Sequence, residues 1–220
     1  MQAIIAFPTD IQSTRKGFDF AAASVTGVDI DPELVQQAEN SFALRASRVR
    51  PATSDSERIV DYFPISVVLE HGYRFEPRTN IASQQDSELA TFPEWPRVSF
   101  FSGDWVTSAN RATEGPYDVI LALSVIKWIH LEHGDDGLVT FFRKCASSLA
   151  PGGYLVIELQ PWKSYERAVR PGVAPHFMES FRKLKYRPET SFSALLQEHG
   201  LHLCNESDAL PRRISVYHKA

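Results

Sequence analysis

Residues 117–124, with the sequence YDVILALS, restrict the possible folds more than any other stretch of the chain. Positions 119–123 are apolar without interruption, which predicts a strand that is buried on both of its faces. Strands of that kind occur in parallel sheets whose two faces are covered by helices. The stretch therefore favours an α/β fold, in which strands and helices alternate along the chain.

Strand and helix patterns do alternate in the rest of the sequence. Residues 25–29 predict an apolar strand, after which Asp31 suits the N-cap and Pro32 the first position of a helix. Further strands are predicted at 97–101 and 154–159, helices at 137–149 and 192–200, and a terminal antiparallel hairpin at 201–205 and 213–219. This order predicts an α/β fold with a mostly parallel sheet and one antiparallel strand. Residues 46–96, rich in Pro, Ser, Arg and Gln, are interpreted as an insertion around one short strand or helix.

Composition excludes several classes of protein. The 220 residues, 43% of them hydrophobic, suit a globular domain with a core, and no apolar run reaches the roughly 20 residues of a membrane span. Without a membrane or secretion signal, we expect an intracellular protein, in the nucleus or the cytoplasm. Cys145 and Cys204 show no paired spacing, so we expect both to be buried as small apolar residues.

Charge is uneven along the chain. The formal net charge of -4 indicates no general attraction to nucleic acid, but residues 160–190 carry seven basic against three acidic side chains. This basic segment is either a solvated face or a surface for an anionic partner. Its basic residues are Lys163, Arg167, Arg170, Arg182, Lys183, Lys185 and Arg187.

The ends of the predicted strands carry the candidate binding groups, because ligands of parallel sheets bind beyond the carboxyl ends of the strands. Asp29 can accept hydrogen bonds from the hydroxyls of a ribose, with Ile30 packed on an adenine, or it can cap the following helix. Asp104, in the sequence SGDW, can accept from an adenine amino group or can belong to an ordinary turn. Together, the two acidic residues favour an adenosine-type ligand.

Several longer motifs resemble one family. The stretches GVDIDPELVQQA, FPISVV, GDWV, YDVILALSVIKWIHLEHGDDGL, LAPGGYLVIELQPWKSY and RPETSFSALL together resemble the bicoid-interacting protein three family of methylphosphate capping enzymes. The resemblance extends over residues 25–220 and implies a Rossmann-like class I methyltransferase domain that uses S-adenosyl-L-methionine. It also implies methyl transfer to the 5'-terminal phosphate of a small RNA.

The resemblance also implies roles for individual residues. Cofactor-binding positions would be Asp29, Ile30, Asp104, Trp105 and Leu123, although the family usually has Asn and Tyr where this chain has Asp104 and Trp105. Lys127 would lie beside the acceptor phosphate as the catalytic residue; otherwise its stem packs on Trp128 and its amine stays solvated. A terminal phosphate already carries nearly two negative charges, since its second pKa is about 6, so charge compensation and alignment matter more than a strong base.

The RNA would be bound mainly by the basic segment. Arg170, Arg182 and Lys183 would contact its backbone, and Trp162 or Tyr165 would stack on its first base unless these rings belong to the core. Ser124, Trp128 and His130 complete the candidate substrate-binding residues. His130 and His133 lack acidic or cysteine partners at zinc spacing, so no metal site is expected. We expect a monomer whose partner is a small RNA 5' end or a ribonucleoprotein; alternatives are a non-catalytic RNA-binding protein or a methyltransferase with a small-molecule or protein acceptor.

One motif of the family is missing. The glycine loop D-x-G-C-N-x-G would fall near residues 4–10, yet the only glycine before Gly27 is Gly17. Either AIIAF is a degenerate first strand followed by a substitute loop, or residues 1–24 are an atypical or truncated segment and the first strand is absent. We favour the second explanation, which predicts an opened sheet, weak cofactor binding and marginal stability.

Overall fold

The fold was analysed in a computed structural model of the chain that describes residues 2–6, 22–50, 60–61, 63–73, 97–109, 113–207 and 213–220. Its strands are β1 Gln2–Ala6, β2 Ser24–Asp29, β3 Val49–Arg50, β4 Val60–Asp61, β5 Arg97–Ser102, β6 Tyr117–Ala122, β7 Leu149–Glu158, β8 Leu201–Ser207 and β9 Ile214–Lys219. Its α-helices are α1 Pro32–Arg48, α2 Ile65–His71, α3 Ile126–Ser148, α4 Trp162–Ala168, α5 Met178–Lys183 and α6 Phe192–Glu198, with a 3-10 turn at Pro175–Phe177.

Seven of the strands form one sheet in the order β5-β2-β1-β6-β7-β9-β8. The five strands from β5 to β7 are parallel to their neighbours, and β9 is antiparallel to both β7 and β8. The predicted α/β fold with one antiparallel strand from a terminal hairpin is therefore confirmed.

The first strand is present and lies in the middle of the sheet. Ile4 pairs with Thr26 of β2 on one side and with Ile120 of β6 on the other. The expectation of a missing first strand and an opened sheet is therefore wrong, and the alternative of a strand in this stretch is confirmed. Residues 7–21, where a substitute for the glycine loop would lie, are outside the described residues.

The junction between β2 and α1 forms as the sequence predicts. The side chain of Asp31 accepts a hydrogen bond from the backbone N–H of Glu33 at 2.8 Å, and Pro32 occupies the first turn, where its missing N–H costs nothing. Val35 is buried on the side of α1 that faces the sheet, where it packs in one cluster with Val25 and Phe100. The acidic end of β2 is thus continued directly by a packed helix.

The main core lies between the sheet and α3 with α6. The predicted apolar side of the 137–149 helix is buried, with Leu138, Phe142 and Cys145 completely enclosed. The helix begins earlier than predicted, at Ile126, and is kinked at Gly134, whose φ of 67° lies in the left-handed region that glycine adopts without strain. The kink divides α3 into a first part beside the strand ends and a second part in the core.

The predicted insertion contains a two-stranded antiparallel β3–β4 pair and the short helix α2, while residues 51–59, 62 and 74–96 are outside the described part of the chain. The domain limits at 24/25 and 46–96 stay predictions. Of the two cysteines, Cys145 is buried as expected, but Cys204 is exposed at an irregularity of strand β8, so that expectation is wrong. Within the described residues, no helix has the length and hydropathy that a membrane crossing requires.

Candidate functional site

The parallel strands β2, β5, β6 and β7 end at one edge of the sheet, and their last residues bring the predicted binding groups together. Asp29 at the end of β2 pairs in register with Ser102 at the end of β5. Ala122 at the end of β6 pairs with Ile157 of β7, so Leu123 follows at the same edge. Because β1 lies between β2 and β6, the Asp29 and Leu123 positions flank the end of the central strand.

Asp29 lies in the tight turn between β2 and α1. Its Oδ1 accepts a hydrogen bond from the backbone N–H of Asp31 at 2.9 Å, so Asp31 caps the helix and Asp29 orients the residue that caps it. Burial raises the pKa of the Asp29 carboxyl, while the Asp31 N–H acts in the opposite direction. Ile30 is 63% exposed, which leaves an apolar side chain beside a half-buried carboxylate at the sheet edge.

Asp104 is held by three groups in the loop that follows β5. Its Oδ1 accepts from the backbone N–H of Val106 and its Oδ2 from the hydroxyl of Thr107, both at 2.8 Å. Nε2 of His133, on α3, lies 3.1 Å from Oδ2 of Asp104. Asp104 therefore fixes the shape of its own loop, and an adenine amino group would have to share oxygens that already accept hydrogen bonds.

The side chain of Trp105 is buried in the main core cluster. Little of its ring is therefore accessible to form the expected aromatic wall for an adenine. The physical reason is the size of the indole: burying it against α3 removes a large apolar area from water. Trp105 thus anchors the loop to the main core and does not present its ring to a ligand.

Lys144 is a residue that the sequence reasoning missed. From the core side of α3, its Nζ donates to the backbone carbonyls of Trp105 and Ser108, each at 2.7 Å. Burial lowers the pKa of Lys144, against the attraction of Asp104. The sequence does show a charged residue directly before the buried Cys145. It does not show the partners of that residue, because every residue has a backbone carbonyl.

The end of β6 is fixed by a buried hydrogen bond. Ser124 has a φ of 61°, which is unusual for a residue with a side chain. Its hydroxyl donates to Oε2 of Glu158, at the end of β7, at 2.5 Å, and both residues are buried. Ser124 therefore orients the turn between β6 and α3, and its contact with a substrate stays a prediction.

Lys127 and Trp128 lie on the first turn of α3, directly after this turn. Nζ of Lys127 lies 4.4 Å from the centre of the Trp128 ring and donates to the hydroxyl of Ser164 on α4 at 3.1 Å. Trp128 is 38% exposed, and its ring centre lies 6.2 Å from that of Phe177. The ammonium itself lies over the Trp128 ring and is hydrogen-bonded to Ser164, and its role beside an acceptor phosphate stays a prediction.

His130 is completely buried, so its predicted contact with substrate is wrong. Its Nε2 lies 2.9 Å from Oδ1 of Asp135, and its ring packs between those of Tyr165 and Phe192 at 5.6 Å from each. Burial lowers its pKa more than the hydrogen bond that it donates to Asp135 raises it, so the imidazole is neutral near pH 7. The apolar rings on α4 and α6 take His130 into the core.

The two rings expected to stack on a base are largely covered. Tyr165 is buried, which excludes direct stacking on RNA, and burial raises the pKa of its hydroxyl. Trp162 is half-buried and stacks on Tyr165 at 5.0 Å and on Phe181 at 4.8 Å. The guanidinium carbon of Arg187 lies 3.3 Å from the centre of its ring. These contacts favour the core interpretation of both rings.

The basic segment is exposed around this aromatic cluster. Arg170, Arg182 and Lys183 are all solvent-exposed, as an RNA backbone contact requires. Lys183 forms an exposed pair with Glu179 at 2.8 Å, which solvent and salt screen. Asp135 anchors the end of the segment, since its Oδ2 accepts from the backbone N–H of Lys185 at 2.9 Å.

Comparison with solved structures identifies the fold as that of the class I S-adenosylmethionine-dependent methyltransferases. The N-methyltransferase NodS from Bradyrhizobium japonicum superposes with a TM-score of 0.55 at 10% identity, over 99% of this chain and 85% of that chain. A methyltransferase from Methanosarcina mazei superposes with a TM-score of 0.53 at 12% identity, over 99% and 92% of the two chains. At such low identity these likenesses establish the fold alone.

Sequence comparison narrows the class to one family. Residues 117–219 match the family model of Bicoid-interacting protein 3. A probable RNA methyltransferase of Arabidopsis thaliana is 31% identical over 210 residues, which are 91% of this chain and 64% of that protein. The 7SK snRNA methylphosphate capping enzyme of Homo sapiens is 28% identical over 89% of this chain and 31% of that enzyme. The chain is thus similar to the bicoid-interacting protein 3 family, whose model matches its residues 117–219, and it spans less than two thirds of these relatives.

Proposed function

We propose that this chain is an S-adenosylmethionine-dependent methyltransferase that acts on the 5'-terminal phosphate of a small RNA. The observation that carries the proposal is the position of Lys127, which lies on the first turn of α3 after the end of β6 and donates to Ser164 in the basic segment. The proposal includes a monomer that meets its RNA free or in a ribonucleoprotein, inside the cell. The family relatives named as RNA methyltransferases and capping enzymes support the same acceptor class.

The cofactor side consists of the Asp29 turn, Leu123 and the loop of Asp104. Asp29 is half-buried at the end of β2, where its carboxylate can accept from the two hydroxyls of a ribose. The exposed side chain of Ile30 offers an apolar surface to an adenine. These residues fit S-adenosylmethionine, which supplies an electrophilic methyl group when bound.

The acceptor side depends on charge compensation by Lys127. A terminal phosphate is close to a dianion at neutral pH, since its second pKa is about 6, and its oxygen can attack a methyl group without a strong base. The ammonium of Lys127 donates to Ser164 beside the Trp128 ring, and its positive charge can compensate the negative charge of the phosphate oxygens. The Ser124–Glu158 hydrogen bond fixes the turn from which Lys127 projects.

The test is methyl transfer to RNAs that differ only at the 5' end. The chain is incubated with methyl-labelled S-adenosylmethionine and the same short RNA carrying a 5'-triphosphate, a 5'-monophosphate or a 5'-hydroxyl. We expect label on a phosphorylated RNA and none on the hydroxyl control, and the label should be released with the terminal phosphate. Equal labelling of all three RNAs would exclude the phosphate as acceptor.

A Lys127→Met variant separates cofactor binding from transfer. We expect transfer to fall at least about a hundredfold, as for loss of a residue that stabilises charge in the transition state, while calorimetry finds unchanged affinity for S-adenosylmethionine. Unchanged transfer by the variant would show that Lys127 has no catalytic role. A wild-type chain that binds RNA but no cofactor would instead support the non-catalytic alternative.

A further inference from the structure

A cavity of about 560 Å³ opens between the first part of α3 and helix α5. Leu131 and Leu184 form its apolar floor, Phe177 one wall, and Glu132 and Lys183 part of its rim. Its volume lies within the roughly 300–1,000 Å³ of small-ligand sites. Its lining includes His133, the partner of Asp104, but the proposed methyl transfer assigns no role to the cavity itself.

The cavity nevertheless lies next to the proposed acceptor position. The ring of Phe177 in its wall is 6.2 Å from the ring of Trp128, and Trp128 carries the ammonium of Lys127 over its face. A terminal phosphate at Lys127 would therefore be separated from the cavity by the Trp128 ring. The exposed Lys183 lines the opening, and the exposed Arg182 precedes it on α5, where an RNA backbone would continue.

The first base of the RNA needs an accessible aromatic surface on which to stack. The rings of Trp162 and Tyr165 are covered by protein, so neither offers a free face. Single-stranded RNA is recognised by splayed bases that stack on aromatic side chains and form hydrogen bonds with their edges. Phe177 and the exposed His176 supply aromatic surface in the cavity, with ring centres 4.1 Å apart.

The carboxylates that line the cavity differ in whether they already have hydrogen-bond or ion-pair partners. Asp135 accepts hydrogen bonds from His130 and from the backbone N–H of Lys185, and Glu179 pairs with Lys183. Glu132 is exposed in the cavity and has no partner among the described residues. A carboxylate is an acceptor only, and guanine is the base with two adjacent N–H donors, N1–H and N2–H, on its pairing edge.

We propose that this cavity binds the first base of the RNA and that Glu132 makes it selective for guanine. The inference rests on the proposed function, since the position of the cavity matters only if the terminal phosphate lies at Lys127. The carboxylate of Glu132 accepts from N1–H and N2–H of the base, while Phe177 contacts its face. Adenine and the pyrimidines present at most one adjacent donor to the same carboxylate.

The experiment measures dissociation constants of the full chain for 5'-phosphorylated RNAs that begin with G, inosine, A, C or U and are otherwise identical. Wild type should bind the G form about tenfold more tightly than the A form, as expected for a bidentate edge contact. Inosine, which lacks the N2 amino group, should fall between them. Glu132→Gln should lose this order, whereas Glu70→Gln, the same change on exposed helix α2, should retain it.

Two results would overturn the inference. They are equal affinities of wild type for all five RNAs and a guanine preference that survives in Glu132→Gln. Methyl transfer is measured in parallel, because transfer to phosphorylated RNAs without a base preference refutes the guanine site and leaves the proposed function intact. Absence of both RNA binding and transfer refutes the two proposals together.

Discussion

Replacing Lys144 with methionine tests whether the loop that carries Asp104 is held from the helix behind it. The substitution removes two hydrogen bonds of 2.7 Å, from the ammonium to the carbonyls of Trp105 and Ser108, and keeps a side chain of similar length. Hydrogen bonds of charged groups contribute about 1.5–3 kcal/mol each. Because Lys144 is only half-buried, water replaces part of the loss, and the lower value for each bond suggests a destabilisation of about 3 kcal/mol.

The measurement is the free energy of unfolding by urea, together with the thermal midpoint. For a chain of this size, about 3 kcal/mol corresponds to a decrease of about 6–12 °C in the midpoint. Lys163→Met, the same substitution at an exposed position of α4, is the matched control and should stay within about 0.5 kcal/mol of wild type. If Lys144→Met has the same free energy of unfolding as this control, the two carbonyl contacts do not stabilise the loop.

Three further perturbations have defined outcomes. Gly137→Ala should lower the thermal midpoint, although alanine is the better helix former, because its Cβ would lie 2.0 Å from the Cβ of His133; an unchanged or raised midpoint would contradict this close approach. Burial lowers the pKa of His130 from its ordinary 6.5, so below pH 6.5 the unfolded chain binds more protons than the folded one and stability falls with acidification. His130→Gln should flatten the unfolding free energy between about pH 7 and pH 5.5, and an equal slope in both proteins would exclude His130 as its source. Alkylation followed by mass spectrometry should label the exposed Cys204 in the native chain and Cys145 only after unfolding, whereas two labels on native protein would show that the helix core opens readily.

The fold was largely predictable because its signals are local. The uninterrupted apolar run at 119–123 and the Asp31–Pro32 helix start depend on neighbouring residues, and both formed as predicted. The central strand β1 was missed because its assignment relied on a glycine loop after it. The stretch AIIAF has the composition of a buried parallel strand, and its pairing with β2 and β6 needs no glycine.

The candidate site was predictable only in part, because contacts across the fold decide which polar residues face a ligand. Asp29 and Lys127 lie at the predicted edge, since a strand end and a helix start determine their positions. His130 and Trp105 went into the core because helices distant in sequence pack over them. Glu158 and Lys144 gained their roles from partners on other elements, which no spacing within the sequence encodes.

The kink at Gly134 explains why so many of these distant contacts meet on α3. On one side of the kink, His133 contacts Asp104 in the loop that follows β5. On the other side, Asp135 accepts from the backbone N–H of Lys185 at the end of the basic segment. In a straight helix, residues two positions apart point to different sides of the same helix axis. At Gly134 the non-helical φ changes the direction of the axis between His133 and Asp135. The loop near the proposed cofactor and the segment near the proposed RNA are therefore anchored to the same three-residue turn, and a substitution that straightens it displaces both.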